Sequence, residues 1–149
     1  MSYLDMARSH VKELAREAFD LSEVLVDADG DLPFYTGTTV FYVSVPDDGR
    51  LVRVWSRAVI GVAVTKPVLR EVNDANAGLL LSRTWVHGTD VVVEGCLPVE
   101  TLRAEDLRAV CEEVGRTADR LGSMLAVVHG GQVALPSGVP TGLEPGESS

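Results

Sequence analysis

Cysteine, histidine and aromatic residues are scarce in this chain: two Cys, three His and 5% Phe, Trp and Tyr over 149 residues. Two lone thiols, Cys96 and Cys111, without CxxC or paired spacing, exclude a disulfide scaffold and a cysteine-based zinc site. Cys96 lies in an apolar, strand-like run and Cys111 in a helical pattern, so both are expected as buried, reduced thiols. His10, His87 and His129 fall on a helix, a hairpin turn and a helix end, none beside a second residue at ligand spacing, and are expected to be solvated. No metal or cofactor is expected. No apolar run approaches membrane-spanning length, and the first residues lack the cationic and apolar regions of a signal peptide, so no membrane association and a cytoplasmic location are expected.

No glycine-rich loop follows a strand and opens a helix, which argues against nucleotide binding. No nucleophile sits in an activating context such as a strand-to-helix elbow, and no enzyme is expected. Asp27-Ala28-Asp29-Gly30-Asp31 alternates acids like a calcium loop, but its glycine falls at the fourth position and Thr38 stands where the bidentate glutamate belongs. A structural turn is the better reading.

What is present is a 46% apolar chain with a formal charge of −9, long enough to bury a core as one domain. That charge would repel nucleic acid over most of the surface. Ala7, Val11, Leu14, Ala15, Ala18 and Leu21 recur at helical spacing and predict an amphipathic helix from Tyr3 to about Leu21. A short run, Leu32–Tyr35, follows. Thr38–Val45 and Leu51–Ala58 are strand-like and flank the turn Pro46-Asp47-Asp48-Gly49, so they should pair antiparallel.

Thr65-Lys66-Pro67 reads as N-cap and first turn of a second helix, with Val68, Leu69, Val72 and Ala75 as its buried stripe and Gly78 as its stop. Asn73 and Asn76 near its end are expected to cap it and fix the link to the next strand. Leu79–Val86 and Thr89–Leu97 form a second hairpin about His87-Gly88. Leu107, Val114, Leu121 and Val128 recur every seven residues, with Cys111, Ala118 and Leu125 between, and predict a long helix from Ala104 to the stop at Gly130-Gly131. The domain is expected over residues 1–131. The remainder, 132–149, rich in Pro, Gly, Ser and Glu, is expected to be disordered. This order predicts an α+β fold: an antiparallel sheet with the N- and C-terminal helices on one face.

Strand alternation carries the functional signal. Arg53, Trp55 and Arg57 share one face of their strand, as do Arg83 and Trp85 of theirs, with Val52 and Val54 opposite. If both sets leave the sheet away from the terminal helices, with Tyr42 and Glu94 beside them, they form an aromatic and cationic surface suited to an extended acidic-apolar peptide. Alternatively, the tryptophans cover the sheet or meet a dimer mate while the arginines pair local acids.

Taken in order, Asp27-Ala28-Asp29-Gly30-Asp31, Val72-Asn73-Asp74-Ala75-Asn76, Val91-Val92-Val93-Glu94-Gly95 and the stretch from Ala118-Asp119 to Gly130-Gly131 resemble one family. It is that of the YbjN-like proteins, in particular the small actinobacterial-type members grouped with type III secretion chaperones of the CesT kind as peptide-binding chaperone domains. The resemblance spans about residues 4 to 131. It implies an α-β-β-β-α-β-β-α fold, homodimerisation and a non-enzymatic role in binding a segment of a protein partner, with no shared catalytic residues. Within that frame Trp55 and Trp85 would anchor the peptide, Arg53, Arg57 and Arg83 would steer it, and Tyr42 would sit beside them. The alternative is a homodimeric assembly component that uses the same surface as its interface.

Overall fold

The computed structural model describes residues 1–134 and 140–143. Helix α1 spans Tyr3–Ala18 and opens on a capping box, in which the Ser2 hydroxyl accepts from the Asp5 amide and the Asp5 carboxylate accepts from the Ser2 amide. It stops three residues short of the expected Leu21. Asp20 turns into the left-handed region at φ 50°, and the amides of Leu21 and Asp20 bond back to the carbonyls of Arg16 and Glu17, a Schellman closure. In the turn that follows, the Asp27 carboxylate accepts from the amides of Asp29 and Asp31, both at 2.9 Å, so the acid alternation serves to tie the chain to itself.

Strands β1 (Leu32–Thr36), β2 (Thr39–Ser44) and β3 (Leu51–Val59) form an antiparallel meander. Helix α2 (Lys66–Ala77) starts at its Thr65 cap and leads to β4 (Arg83–His87) and β5 (Asp90–Pro98), and α3 spans Ala104–His129. A two-residue strand, β6 (Thr141–Gly142), completes a sheet of order β4-β5-β3-β2-β1-β6. Because β6 pairs parallel to β1 the sheet is mixed, not purely antiparallel as expected. Within the stretch expected to be disordered, Gln132 bridges Ile60, and Thr141 and Gly142 pair with Phe34 and Tyr35. Residues 135–139 and 144–149 lie outside the described residues.

All three helices lie on one side of the sheet. Phe34, Phe41, Val43, Val52, Val54, Val91 and Val93 point to that side and bury against Leu107, Val110, Val114, Leu121 and Leu125 of α3. Glycine lets α3 approach closely: a Cβ at Gly122 would stand 2.2 Å from the Ala58 carbonyl oxygen, at the bulge between Arg57 and Val59. The apolar stripe stays buried as far as Leu125, but Val127 and Val128 are exposed. Helix α1 rests on α3, with Phe19 beyond its end reaching Phe34 at 5.8 Å between ring centres. Cys111 is buried as expected, and burial pushes its thiol far above the usual range. Cys96 is not buried: it falls on the helix-free face and is exposed, contrary to expectation.

Candidate functional site

The sheet face opposite the helices carries the residues that strand parity predicted. Register places Tyr42 beside Trp55, Trp55 beside Glu94, and Glu94 beside Arg83, in one row across four strands. Tyr42 and Trp55 stack at 4.6 Å between ring centres and 23° between planes. Arg53 and Arg57 lie over the Trp55 ring at 4.9 and 5.8 Å, and the indole nitrogen donates to the Ser44 hydroxyl at 3.0 Å. Trp55 is thus held by four neighbours on its own sheet.

Trp85 does not join this cluster. Val92 and Glu94 of β5 separate the two tryptophans, and Trp85 sits on the edge strand with Arg83 over its ring at 5.5 Å and His87 edge-on at 5.3 Å. Its buried indole nitrogen has no hydrogen-bond partner among the described residues.

Glu94 changes the electrostatics that the arginines alone suggest. Its side chain is 8% exposed and accepts from Arg53 on one side and Arg83 on the other, both at 2.6 Å. Burial raises the Glu94 carboxyl, but the hydrogen bonds and charges of the two guanidinium groups outweigh it and hold its pKa below the ordinary glutamate value. Arg57 stands 3.9 Å from Asp90. Three cations therefore face two anions, and the surface is aromatic and nearly neutral rather than cationic.

At the β2 end of the face, Asp27, Asp29, Asp31, Val40, Tyr42, Trp55, Arg57 and Ala134 line a recess of about 210 Å³. Burial raises the Asp31 carboxyl, and Asp27 and Asp29 add to the shift against a hydrogen bond from Ser44. The acid content of this recess was not visible from strand parity, because the acids come from the turn before β1.

The two sheet edges differ. On β4, the Asn76 side chain donates to the Thr84 carbonyl at 2.9 Å and accepts from the Thr84 amide at 2.7 Å, so α2 occupies the outer backbone groups of that edge at Thr84. Asn76 therefore fixes the link to the next strand, as expected, but does so by closing the β4 edge rather than by capping its own helix. On β1, the outer edge carries β6, and the Leu143 amide donates to the Tyr35 carbonyl at 2.9 Å.

Between these edges, Glu113 of α3 accepts from the amides of Leu80 and Leu81 at 3.0 and 2.9 Å and from the Ser82 hydroxyl. That clamp holds Leu80 outward at 91% exposure. Among the described residues no group of His, Cys, Asp and Glu is arranged to hold a metal ion, and no helix is long and apolar enough to cross a membrane.

An N-terminal helix, a six-stranded mixed sheet with one open face and a long C-terminal helix define the secretion-chaperone fold. Solved structures share it at low identity. One is the Yersinia pestis type III secretion chaperone SycH in complex with a stable fragment of YscM2, with a TM-score of 0.56, 16% identity, and coverage of 77% of this chain and 98% of that one. The HopA1–SchA chaperone–effector complex matches with a TM-score of 0.54 and 15% identity over 78% and 98% of the two chains. The ExsC–ExsE complex matches with a TM-score of 0.60 and 13% identity over 79% and 95%. No curated protein matches the chain. Residues 5–137 match the family model of T3SS (YopN, CesT) and YbjN peptide-binding chaperone 1, and the chain belongs to that family.

Proposed function

We propose that this protein is a non-enzymatic, chaperone-like adaptor of the cytoplasm that binds an extended segment of a protein partner on the open sheet face. The observation that supports the reading is that all three helices leave that face uncovered while it presents the Tyr42–Trp55 stack, with Arg53 and Arg57 against the indole. A flat aromatic surface flanked by polar groups takes an extended chain through alternate side chains. Trp55 is the central anchor and Trp85 a second contact at the β4 edge. Because Glu94 engages Arg53 and Arg83, and Asp90 stands 3.9 Å from Arg57, little free positive charge remains to steer, and the partner segment is selected by its apolar side chains first.

The test is affinity capture of partners from native cytosol by the wild type and by a Trp55→Ala/Trp85→Ala variant, with oligomeric state followed by light scattering. A discrete partner held by the wild type and lost at least about tenfold by the variant is expected, since interface anchors of this kind each carry more than a tenfold share of affinity. Equal capture by a folded variant would end the reading.

A second reading is a homodimeric assembly component. It is favoured by Leu69 of α2 and by Leu80 and Leu81 after it, which are 47%, 91% and 47% exposed. Under that reading Leu80→Lys converts a dimer to a monomer by light scattering, while capture by the wild type finds only further copies of the chain.

A further inference from the structure

We propose that the segment after α3 is an intramolecular occupant of the candidate binding surface, holding the outer edge of β1 and one end of the open face until a partner's extended segment displaces it. The proposal concerns regulation of the same site and so rests on the peptide-binding reading.

The segment touches the sheet on both sides of β2. At one end, Gln132 and Ile60 exchange backbone hydrogen bonds at 2.8 and 2.9 Å, just past β3, and Ala134 lies on the wall of the recess with Val40, Tyr42 and Trp55. At the other end, Thr141 and Gly142 run parallel to Phe34 and Tyr35 on the outer edge of β1. The Leu25 amide donates to the Thr141 hydroxyl at 3.0 Å, and the Leu143 amide donates to the Tyr35 carbonyl. Val40 and Tyr42 are only 5% and 9% exposed although α1, α2 and α3 lie on the other side of the sheet.

The two edges of the sheet are closed by different means, and only one closure is easily undone. At β4 the closing group is a side chain fixed on a packed helix. At β1 it is a strand of two residues, preceded by Pro140, which has no amide to donate, and containing Gly142, which loses the most backbone freedom on ordering. A two-residue ladder sets few hydrogen bonds against that ordering cost, and exchange for a longer strand is favoured.

The chemistry of the occupant also matches the proposed partner. Thr141 is in register with the core residue Phe34 and Leu143 packs against the apolar core, so the occupant holds the β1 edge through an apolar side chain. A displacing segment would run parallel to β1 with a small or β-branched residue in the place of Thr141 and an apolar residue in the place of Leu143.

A fluorescein-labelled synthetic peptide with the sequence of residues 138–147 serves as probe, titrated by anisotropy against full-length wild type and full-length Leu143→Pro, which lacks the donor to Tyr35. Since an occupied site lowers apparent affinity by the fraction left open, the variant should bind at least about tenfold tighter than wild type. Its Leu25 amide should exchange with deuterium faster in parallel. Should Leu143→Pro lose its helical circular dichroism, Thr141→Ala, which removes only a hydroxyl, carries the same comparison with a gain of about threefold. Equal affinity for wild type and variant, or binding to neither, overturns the proposal. Discrimination by the peptide together with partner capture indifferent to Trp55 and Trp85 leaves the cis occupant standing and removes the adaptor reading. Capture lost with the tryptophans, but no discrimination by the peptide, removes the cis occupant alone.

Discussion

At the scale of single residues, the fold depends most sharply on where a side chain is missing. Gly122 lies where a Cβ would stand 2.2 Å from the Ala58 carbonyl oxygen, whereas at Gly115 the nearest atom, the Thr36 methyl, is 3.0 Å away. Both glycines sit inside a helix, where alanine is preferred by about 1 kcal/mol on intrinsic grounds. Packing reverses that preference at Gly122, because the obstacle is backbone and cannot rotate aside. Gly122→Ala should lose about 1–3 kcal/mol net, as overpacked cores do, and Gly115→Ala should lose less. Urea melts of the two variants decide this, and a smaller loss for Gly122→Ala would refute the close seating of α3 on β3. The same scale holds the Glu113 clamp. Glu113→Ala leaves two amides and a hydroxyl without their acceptor, and about 1–3 kcal/mol should be lost with faster amide exchange at Leu80 and Leu81.

At the scale of elements, α2 is joined to β4 by the reciprocal Asn76–Thr84 pair and by the Thr84 hydroxyl donating to the Val72 carbonyl at 2.8 Å. Asn76→Ala should expose the outer backbone groups of Thr84 and cost about 1–3 kcal/mol. Asn76→Asp keeps an acceptor for the Thr84 amide but loses the donor to its carbonyl, so it should fall between. Hydrogen exchange at Thr84 reports the order, and an unchanged rate in Asn76→Ala would show that the edge is closed by something else. The helices and hairpins themselves were legible in the sequence, since Thr65-Lys66-Pro67, the Gly49 and Gly88 turns and the heptad spacing of α3 are local signals. So was the shared face of Arg53, Trp55 and Arg57, which needs only the two-residue period of a strand. What needs cross-strand register was not legible. The bridging of Arg53 and Arg83 by Glu94 depends on β3 and β4 both lying beside β5, whereas the face of Cys96, two residues after Glu94 on β5, follows from the strand period alone. Strand β6 escaped notice because two residues after a proline carry no periodicity at all.

For the whole molecule, the charge of −9 and the buried carboxylates set how stability responds to acid. Burial raises Glu113, but bonds from the Leu80 amide, the Ser82 hydroxyl and the Leu81 amide outweigh it and bring its pKa below the ordinary value of 4.5. Glu94 is lowered in the same way by Arg53 and Arg83. A carboxylate whose folded pKa lies below its unfolded one binds fewer protons folded than unfolded through that interval. Its contribution is complete above the unfolded value and is lost as the pH falls through the folded one. Asp31, raised by burial and by its acidic neighbours, works in the opposite sense: it favours the fold while protonated and loses that contribution as the pH rises through its unfolded and then its folded pKa. The lowered carboxylates Glu94 and Glu113 lose their contributions as the pH falls below about 4.5, near the isoelectric point of 4.7 where repulsion between molecules is also least. Thermal melts from pH 7 to pH 3 should therefore show a falling midpoint below that value and precipitation close to it. Glu113→Gln retains an acceptor and the shape of the clamp but cannot titrate, so it should be less stable than wild type at pH 7 and approach it at pH 3. Melting curves for the two proteins that stay parallel across this range would show that Glu113 is protonated alike in the folded and unfolded chain, and that its hold on the Leu80–Ser82 turn owes nothing to its charge.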